Sequence, residues 1–246
     1  MMSETSKRIA LVSGGNKGLG LETCRRLGEA GLTVLLGARN PDAGEKAASD
    51  LRDKGHDARF VALDLDDPAT FEAAARTIEG EFGRLDVLVN NAGIFPQGDG
   101  PPIDADLDAV RRVLDVNFFR TVELTRAMLP LLRKASAARI VNVSSGLGSL
   151  TQNADPNWAF AGTKILGYNS SKAALNMFTV QLAAALKADG ILVNASDPGY
   201  TATDLNGNSG HQTVEEGTDA TVRLALLPDG DTTTGAYFNR DGVVPW

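Results

Sequence analysis

Cysteine and histidine are scarce in this chain: Cys24, His56 and His211 are all there is among 246 residues. A lone thiol excludes an internal disulfide, and its place in the first helical pattern marks Cys24 as a packing residue rather than a nucleophile. The two histidines make no ligand pattern, so no metal site is expected. No run of 18 apolar residues occurs, and the polar stretch Met1–Arg8 has no apolar signal segment behind it, so no membrane partner and a cytoplasmic location are expected. Excess positive charge is missing too. Lysine and arginine number 24 against 31 acidic residues, a net charge of −7 that argues against general affinity for nucleic acid or anionic membrane.

What is present is an ordinary soluble composition, 43% hydrophobic and 22% charged, of a length that suits one domain over 1–246. Continuous apolar runs recur at Ile9–Val12, Thr33–Leu36, Phe60–Leu63, Val87–Val89, Ile140–Val143 and Ile191–Val193, with a short Gly235–Phe238 closing one edge. Unbroken rather than alternating runs predict strands buried on both faces. Helical spacing lies between them, over Gly18–Ala30, Asp42–Lys54, Pro68–Phe82, Leu107–Arg133, Asn169–Asp189 and Thr213–Leu226. This alternation predicts an α/β fold, a doubly wound parallel β-sheet with helices on both faces, whose ligands sit beyond the carboxyl ends of the strands.

The polar residues collect at those ends. Ser13 to Gly20 joins the first strand to the first helix, and its glycines would let a pyrophosphate approach the amide-rich helix start. Gly14, Asn16, Lys17, Gly18, Leu19 and Gly20 are therefore candidate cofactor contacts. No carboxylate follows the second strand, where such folds bind a free ribose 2′-hydroxyl. Arg39 stands there instead and, with Lys17, suits a 2′-phosphate, which favours NADPH/NADP+; the alternative is that both are solvated surface charges. Asp64, with Leu65, follows the third strand and offers an acceptor to adenine, or else caps a loop. Asn91, Ala92 and Gly93 end the fourth strand, small enough for close approach by the cofactor, while Asn90 and Asn91 tie neighbouring strands.

Helix Leu107–Arg133 carries an inward stripe of Leu107, Val110, Leu114, Asn117, Thr121, Leu124 and Met128. A buried amide needs partners, so Asn117 either pins its helix to backbone or holds a water in a site, and both can be true. The next helix aligns Tyr168, Lys172, Leu175, Thr179, Leu182 and Leu186. A free tyrosine titrates near ~10, so acid–base work near neutrality needs a shift of roughly three units, or about 4 kcal/mol. A cation at about 4 Å, with an effective dielectric near 20, supplies on the order of 4 kcal/mol, so Lys172 is expected nearly to suffice. Ser145, ending the fifth strand, would hydrogen-bond a substrate carbonyl beside Tyr168, with Ser144 structural. The expected reaction is hydride transfer to a carbonyl carbon while Tyr168 protonates the oxygen.

The chain resembles the short-chain dehydrogenase/reductase family, the carbonyl reductase branch in particular, over nearly its whole length. The resemblance rests on Ser13-Gly14 with Gly18 and Gly20, Asp64, Asn90 to Gly93, Asn117, Ser145, Tyr168 with Lys172, Pro198-Gly199 with Thr203, and the terminal Trp246. It implies a Rossmann-type fold and a catalytic tetrad of Ser145, Tyr168, Lys172 and Asn117. It also implies nicotinamide contacts from Tyr168, Lys172, Pro198, Gly199, Thr201 and Thr203. Ser13 replaces a usual threonine, and Ser145 and Tyr168 lie farther apart than in most members. The resulting expectation is an NADPH-dependent carbonyl reductase, set against a catalytically idle redox sensor and NAD(P)-linked alcohol oxidation.

Phe95, Pro96, Trp158, Phe160 and Tyr200 follow strand ends and suggest an apolar or aromatic carbonyl substrate. Asp204–Gln212, rich in glycine and short polar side chains, is expected to act as a mobile lid. Outward positions Phe119, Val122, Ala173, Met177, Val180 and Ala184 are uncharged where a solvated helix would show charge. Either a second subunit covers them, making a homodimer, or Gly146–Gly167 folds over them; the short excess in that stretch favours the dimer.

Overall fold

The computed structural model describes residues 7–95 and 97–246. Pro96 and Met1–Ser6 lie outside the described residues, and with them the expectation placed on Pro96. Seven strands form one parallel sheet in the order β3-β2-β1-β4-β5-β6-β7. They are β1 (Ile9–Ser13), β2 (Thr33–Ala38), β3 (Ala58–Ala62), β4 (Val87–Asn90), β5 (Arg139–Val143), β6 (Leu192–Ser196) and β7 (Tyr237–Phe238). Every residue of β1, β2, β4 and β5 is buried, as unbroken apolar runs require.

Alternate residues along each strand feed two cores. Ile9, Leu11 and Leu35 meet α3 (Ala69–Phe82), α5 (Arg120–Leu132) and α7 (Leu166–Ala185) on one face. Ala10, Val12, Val34 and Leu36 meet α1 (Gly18–Glu29), α2 (Pro41–Arg52) and α8 (Val214–Ala225) on the other. Cys24 is fully buried among the second set, which pushes its thiol pKa upward and leaves it a packing group. The strand order reverses between β1 and β4, and this opens a crevice at their carboxyl ends.

Three elements differ from the sequence expectation. The helix expected over Leu107–Arg133 is α4 (Leu107–Leu114), a π-helical turn at Asp115–Phe119, and α5. The wider turn breaks the 3.6-residue spacing, and the stripe fails at its start: Leu107 is 58% exposed, whereas Val110 is buried as expected, with Ala109 and Val113 buried beside it. Helix α7 begins at Leu166 rather than Asn169, with its first amides bonded to a distant loop. The last strand keeps only Tyr237–Phe238, because the Ala236 N–H donates to the Asn194 side chain instead of a strand neighbour. A short α6 (Leu150–Ala154), capped by Ser149, has no counterpart in the expected elements. Among the described residues no helix is long and apolar enough to cross a membrane.

Candidate active site

At the crevice, Ser13 Oγ accepts from the Asn91 and Ala92 N–H groups, both at 3.0 Å, and Asn91 Nδ2 donates to the Ser13 carbonyl at 2.9 Å. The ends of β1 and β4 are thereby locked together. Asn90 Nδ2 donates to Asn142 Oδ1 at 2.8 Å, and Asn142 Nδ2 to Thr179 Oγ1 at 2.9 Å, tying β4 to β5 and β5 to α7. Gly14 and Gly18 adopt φ of +66° and +53°, left-handed values that glycine tolerates without strain. A Cβ on Gly18 would point at Thr203 Cγ2, 3.8 Å away, so the missing side chain leaves a gap between the turn and the segment after β6. Helix α1 has no side-chain cap, so its first amides are available to an anion in that gap.

The cleft has a volume of about 490 Å³. It brings together Gly14, Asn16, Lys17, Gly18, Leu19, Gly20, Arg39, Asp64, Leu65, Asn91, Ala92, Gly93 and Thr203. Tyr168, Lys172, Pro198, Gly199 and Thr201, also expected as cofactor contacts, are outside its lining; Thr201 is buried, donates to the Pro198 carbonyl at 2.8 Å, and backs onto Gly217 of α8. Ile94, Arg112 and Val116 also line the cleft without having been singled out by sequence, and Leu205 brings the Asp204–Gln212 segment to it. Arg112 is paired with Asp66 at 2.6 Å, so it reads in sequence as one more helix-surface charge. Arg39 is exposed and has no ion-pair or hydrogen-bond partner among the described residues. Lys17 reaches across the mouth to Asp204 at 2.9 Å.

Helix α7 and β5 supply the reactive groups. Lys172 is buried and donates from Nζ to the Val143 carbonyl at 2.8 Å, with its Nζ 5.7 Å from the centre of the Tyr168 ring. Burial pushes its pKa down to about 8. Tyr168 moves opposite to expectation: loss of water around the phenol pushes its pKa up to about 12, with the neighbouring Ser145 hydroxyl pulling down and the Asp197 carboxylate adding to the rise. Lys172 does not offset this, because its ammonium is directed at Val143 and its own charge is disfavoured. Ser144 Oγ donates to Asn176 Oδ1 at 2.6 Å, a structural tie. Asn117, in the π turn, accepts from the Ile94 N–H at 2.8 Å and donates to the Ile94 carbonyl at 3.0 Å and Ser171 Oγ at 3.2 Å. A Cβ on Gly93 would lie 3.2 Å from Asn117 Oδ1 and 3.9 Å from Lys172 Nζ, so these side chains meet behind the cleft wall.

Asp197, after β6, is a buried carboxylate that accepts from the Gly199 N–H at 2.9 Å, and burial raises its pKa. Its identity is plain in sequence; its burial beside Tyr168 is not. Of Phe95, Trp158, Phe160 and Tyr200, only Phe95 lines the cleft. Phe95 meets Tyr168 edge-on at 5.5 Å, and Trp158, Phe160, Tyr200 and His211 make successive edge contacts at 5.5, 5.6 and 5.9 Å. Within Asp204–Gln212, Ser209 Oγ lies 2.6 Å from the Tyr200 hydroxyl, and Asn206 donates to the Thr201 carbonyl at 2.9 Å.

Comparison with known proteins agrees with this geometry. Residues 8–213 match the short chain dehydrogenase family. Short-chain dehydrogenase/reductase 1 of Saponaria officinalis is 35% identical, covering 98% of this chain and 96% of its own. (+)-Neomenthol dehydrogenase of Arabidopsis thaliana is 32% identical, covering 98% and 99%. The crystal structure of NADPH-bound carbonyl reductase from chicken fatty liver superposes with a TM-score of 0.84 at 30% identity, covering 98% of this chain and 99% of that one. The sheet order, the glycine turn and the match along most of the chain place this protein in the short-chain dehydrogenase family.

Proposed function

We propose that the chain reduces a ketone or aldehyde to an alcohol with NADPH, using Tyr168 as general acid. The observation that carries this reading is the grouping of Tyr168, Ser145 and Lys172 behind the Gly93–Phe95 wall of a cleft whose far side exposes Arg39, unpaired among the described residues. The Gly18 gap, the uncapped start of α1 and Arg39 fit the phosphates of the cofactor. When bound, NADPH supplies the hydride.

The side chains do the rest. Tyr168 is protonated at neutral pH, since burial holds its pKa near 12, and it donates to the substrate oxygen as negative charge grows there. Ser145 donates to the same oxygen and fixes its position. Lys172, with its Nζ 5.7 Å from the centre of the Tyr168 ring and a pKa pushed down to about 8, stands beside the phenol as a nearby proton carrier. Asn117 keeps the π turn against the Ile94 backbone, bracing the cleft wall in front of Lys172. A phenol held in its protonated form is ready to donate to a carbonyl oxygen, the proton step that reduction needs. An idle redox sensor would have no use for this grouping.

Phe95, Trp158, Phe160 and Tyr200 favour an apolar or aromatic carbonyl, and the neomenthol dehydrogenase and carbonyl reductase relatives accord with that class. Phe119 and Met177 are 55% and 57% exposed, while Trp158 and Phe160 of the Gly146–Gly167 stretch turn toward Tyr200. This supports a homodimer formed on that face. A panel of small carbonyls assayed with NADPH and with NADH tests the function: consumption of NADPH with an apolar ketone or aldehyde supports it, and no turnover across the panel favours the sensor.

A further inference from the structure

Helix α7 starts without a cap of its own. Ile165, extended at φ −126° and ψ 94°, has no side-chain acceptor for the first-turn amides, and a helix leaves its first four N–H groups without intrahelical partners. Another loop takes three of them. The Leu166 N–H donates to the Gly100 carbonyl at 2.8 Å, the Gly167 N–H to Asp99 Oδ1 at 2.8 Å, and the Tyr168 N–H to Asp99 Oδ2 at 2.7 Å. One carboxylate thus uses both oxygens on consecutive amides, 68 and 69 positions away, and the second amide is that of Tyr168 itself.

The fit around this joint is close. A Cβ on Gly167 would lie 2.9 Å from Asp99 Oδ2 and 3.0 Å from Val110 Cα, so the first turn of α7 comes as near to the loop and to α4 as a bare backbone allows. The same loop carries Phe95, which meets the Tyr168 ring edge-on at 5.5 Å. It is itself tied back, the Asp106 N–H donating to the Gly98 carbonyl at 3.1 Å. Tyr168 is therefore gripped twice by one loop, at its amide and at its ring.

We propose that Asp99 is a positioning residue for the reaction: by binding the Gly167 and Tyr168 amides it sets the height and rotation of the first turn of α7, and hence where the phenol stands relative to Ser145 and Lys172. This rests on Tyr168 being the general acid. Charged acceptors make strong, directional bonds to backbone amides, and a misplacement of about 1 Å at a reacting group costs on the order of 100-fold in rate.

The test is made on the full chain with NADPH and the best carbonyl of a panel, comparing four variants. Asp99→Asn is nearly isosteric, but sets an amide donor against one of the two backbone N–H groups. Gly167→Ala approaches the same joint from α7, crowding the carboxylate without removing it. Asp106→Ala is the control, because Asp106 caps α4 from the same loop, accepting from the Asp108 N–H at 2.9 Å, and costs comparable loop stability away from Tyr168. Tyr168→Phe checks the underlying reading. The expected result is that Asp99→Asn and Gly167→Ala each lower kcat about 10- to 100-fold and shift its alkaline limb, with NADPH affinity within about twofold, while Asp106→Ala keeps kcat within about twofold. If Asp99→Asn and Gly167→Ala both keep kcat while Tyr168→Phe is inactive, or if Asp106→Ala loses as much as Asp99→Asn, the positioning role is overturned. An active Tyr168→Phe would instead overturn the general-acid reading on which the role depends.

Discussion

Lys172 directs its ammonium to the Val143 carbonyl oxygen at 2.8 Å while its Nζ stands 5.7 Å from the centre of the Tyr168 ring. A buried cation this close to the reacting group has a cost in stability. Its pKa lies at about 8 in the folded chain against an ordinary 10.5, so between those values the unfolded chain binds more protons and stability rises with pH. Below about pH 8 the full burial cost remains, about 3 kcal/mol at most. Lys172→Met removes it. Thermal melts of the cofactor-free protein should show the variant at its greatest advantage relative to wild type near pH 7, with that advantage shrinking as pH rises past 8. A difference that does not change with pH would contradict a buried, charged Lys172.

Asp197 acts on the acid from the other side. Its carboxylate raises the Tyr168 pKa, so replacing it with a neutral group should make the phenol easier to ionise. Tyr168 must be protonated to donate, and reduction should therefore fall away at high pH. In Asp197→Asn the alkaline limb of kcat/KM for reduction should begin at lower pH than in wild type; a limb that stays in place, or moves up, would show that Asp197 carries no charge felt by Tyr168.

The two cations at the cofactor end are not equivalent. Arg39 has no partner among the described residues, whereas Lys17 already holds Asp204 in an exposed ion pair. Exposed pairs of this kind contribute at most about 1 kcal/mol, but Lys17 must exchange one partner for another to bind a phosphate. Wild type should prefer NADPH to NADH by at least about tenfold in kcat/KM. Arg39→Asp should narrow or reverse that preference, and Lys17→Ala should change it less. Equal use of both cofactors by the wild type would contradict the assignment.

Glycine chemistry gives a matched pair. A methyl at Gly20 would run into the Gly14 carbonyl oxygen and crowd Asn91 Nδ2, whereas nothing lies within 4 Å of one at Gly80 inside α3. Gly20→Ala should lose NADPH binding in a fluorescence titration. Gly80→Ala should leave binding intact and stabilise the fold by about 0.5–1 kcal/mol in urea.

The strands and the glycine turn were legible because burial on both faces leaves a continuous apolar run, and because left-handed backbone at Gly14 and Gly18 needs glycine. Tyr168 and Lys172 were legible as one helix face. The π turn was not: a single wide turn at Asp115–Phe119 leaves no compositional mark, and of the expected inward positions before it Val110 is buried while Leu107, at the helix start, is on the surface. Asp99 was invisible for another reason. An acid in a loop of glycine and proline reads as solvated, and its partners lie 68 and 69 positions away. The sign of the Tyr168 shift also needed the structure, since spacing brings Lys172 near but does not say that its proton is directed at Val143.

If the Tyr168 hydroxyl delivers the proton, Tyr168→Phe removes the one group that the reaction needs from this side chain. The substitution deletes one oxygen and leaves the ring that Phe95 meets edge-on. Turnover of the best carbonyl and NADPH binding by nicotinamide fluorescence should be measured side by side on the variant and the wild type. Turnover should be abolished while NADPH binds with unchanged affinity; retention of more than about a tenth of the wild-type rate would mean that another group is the acid.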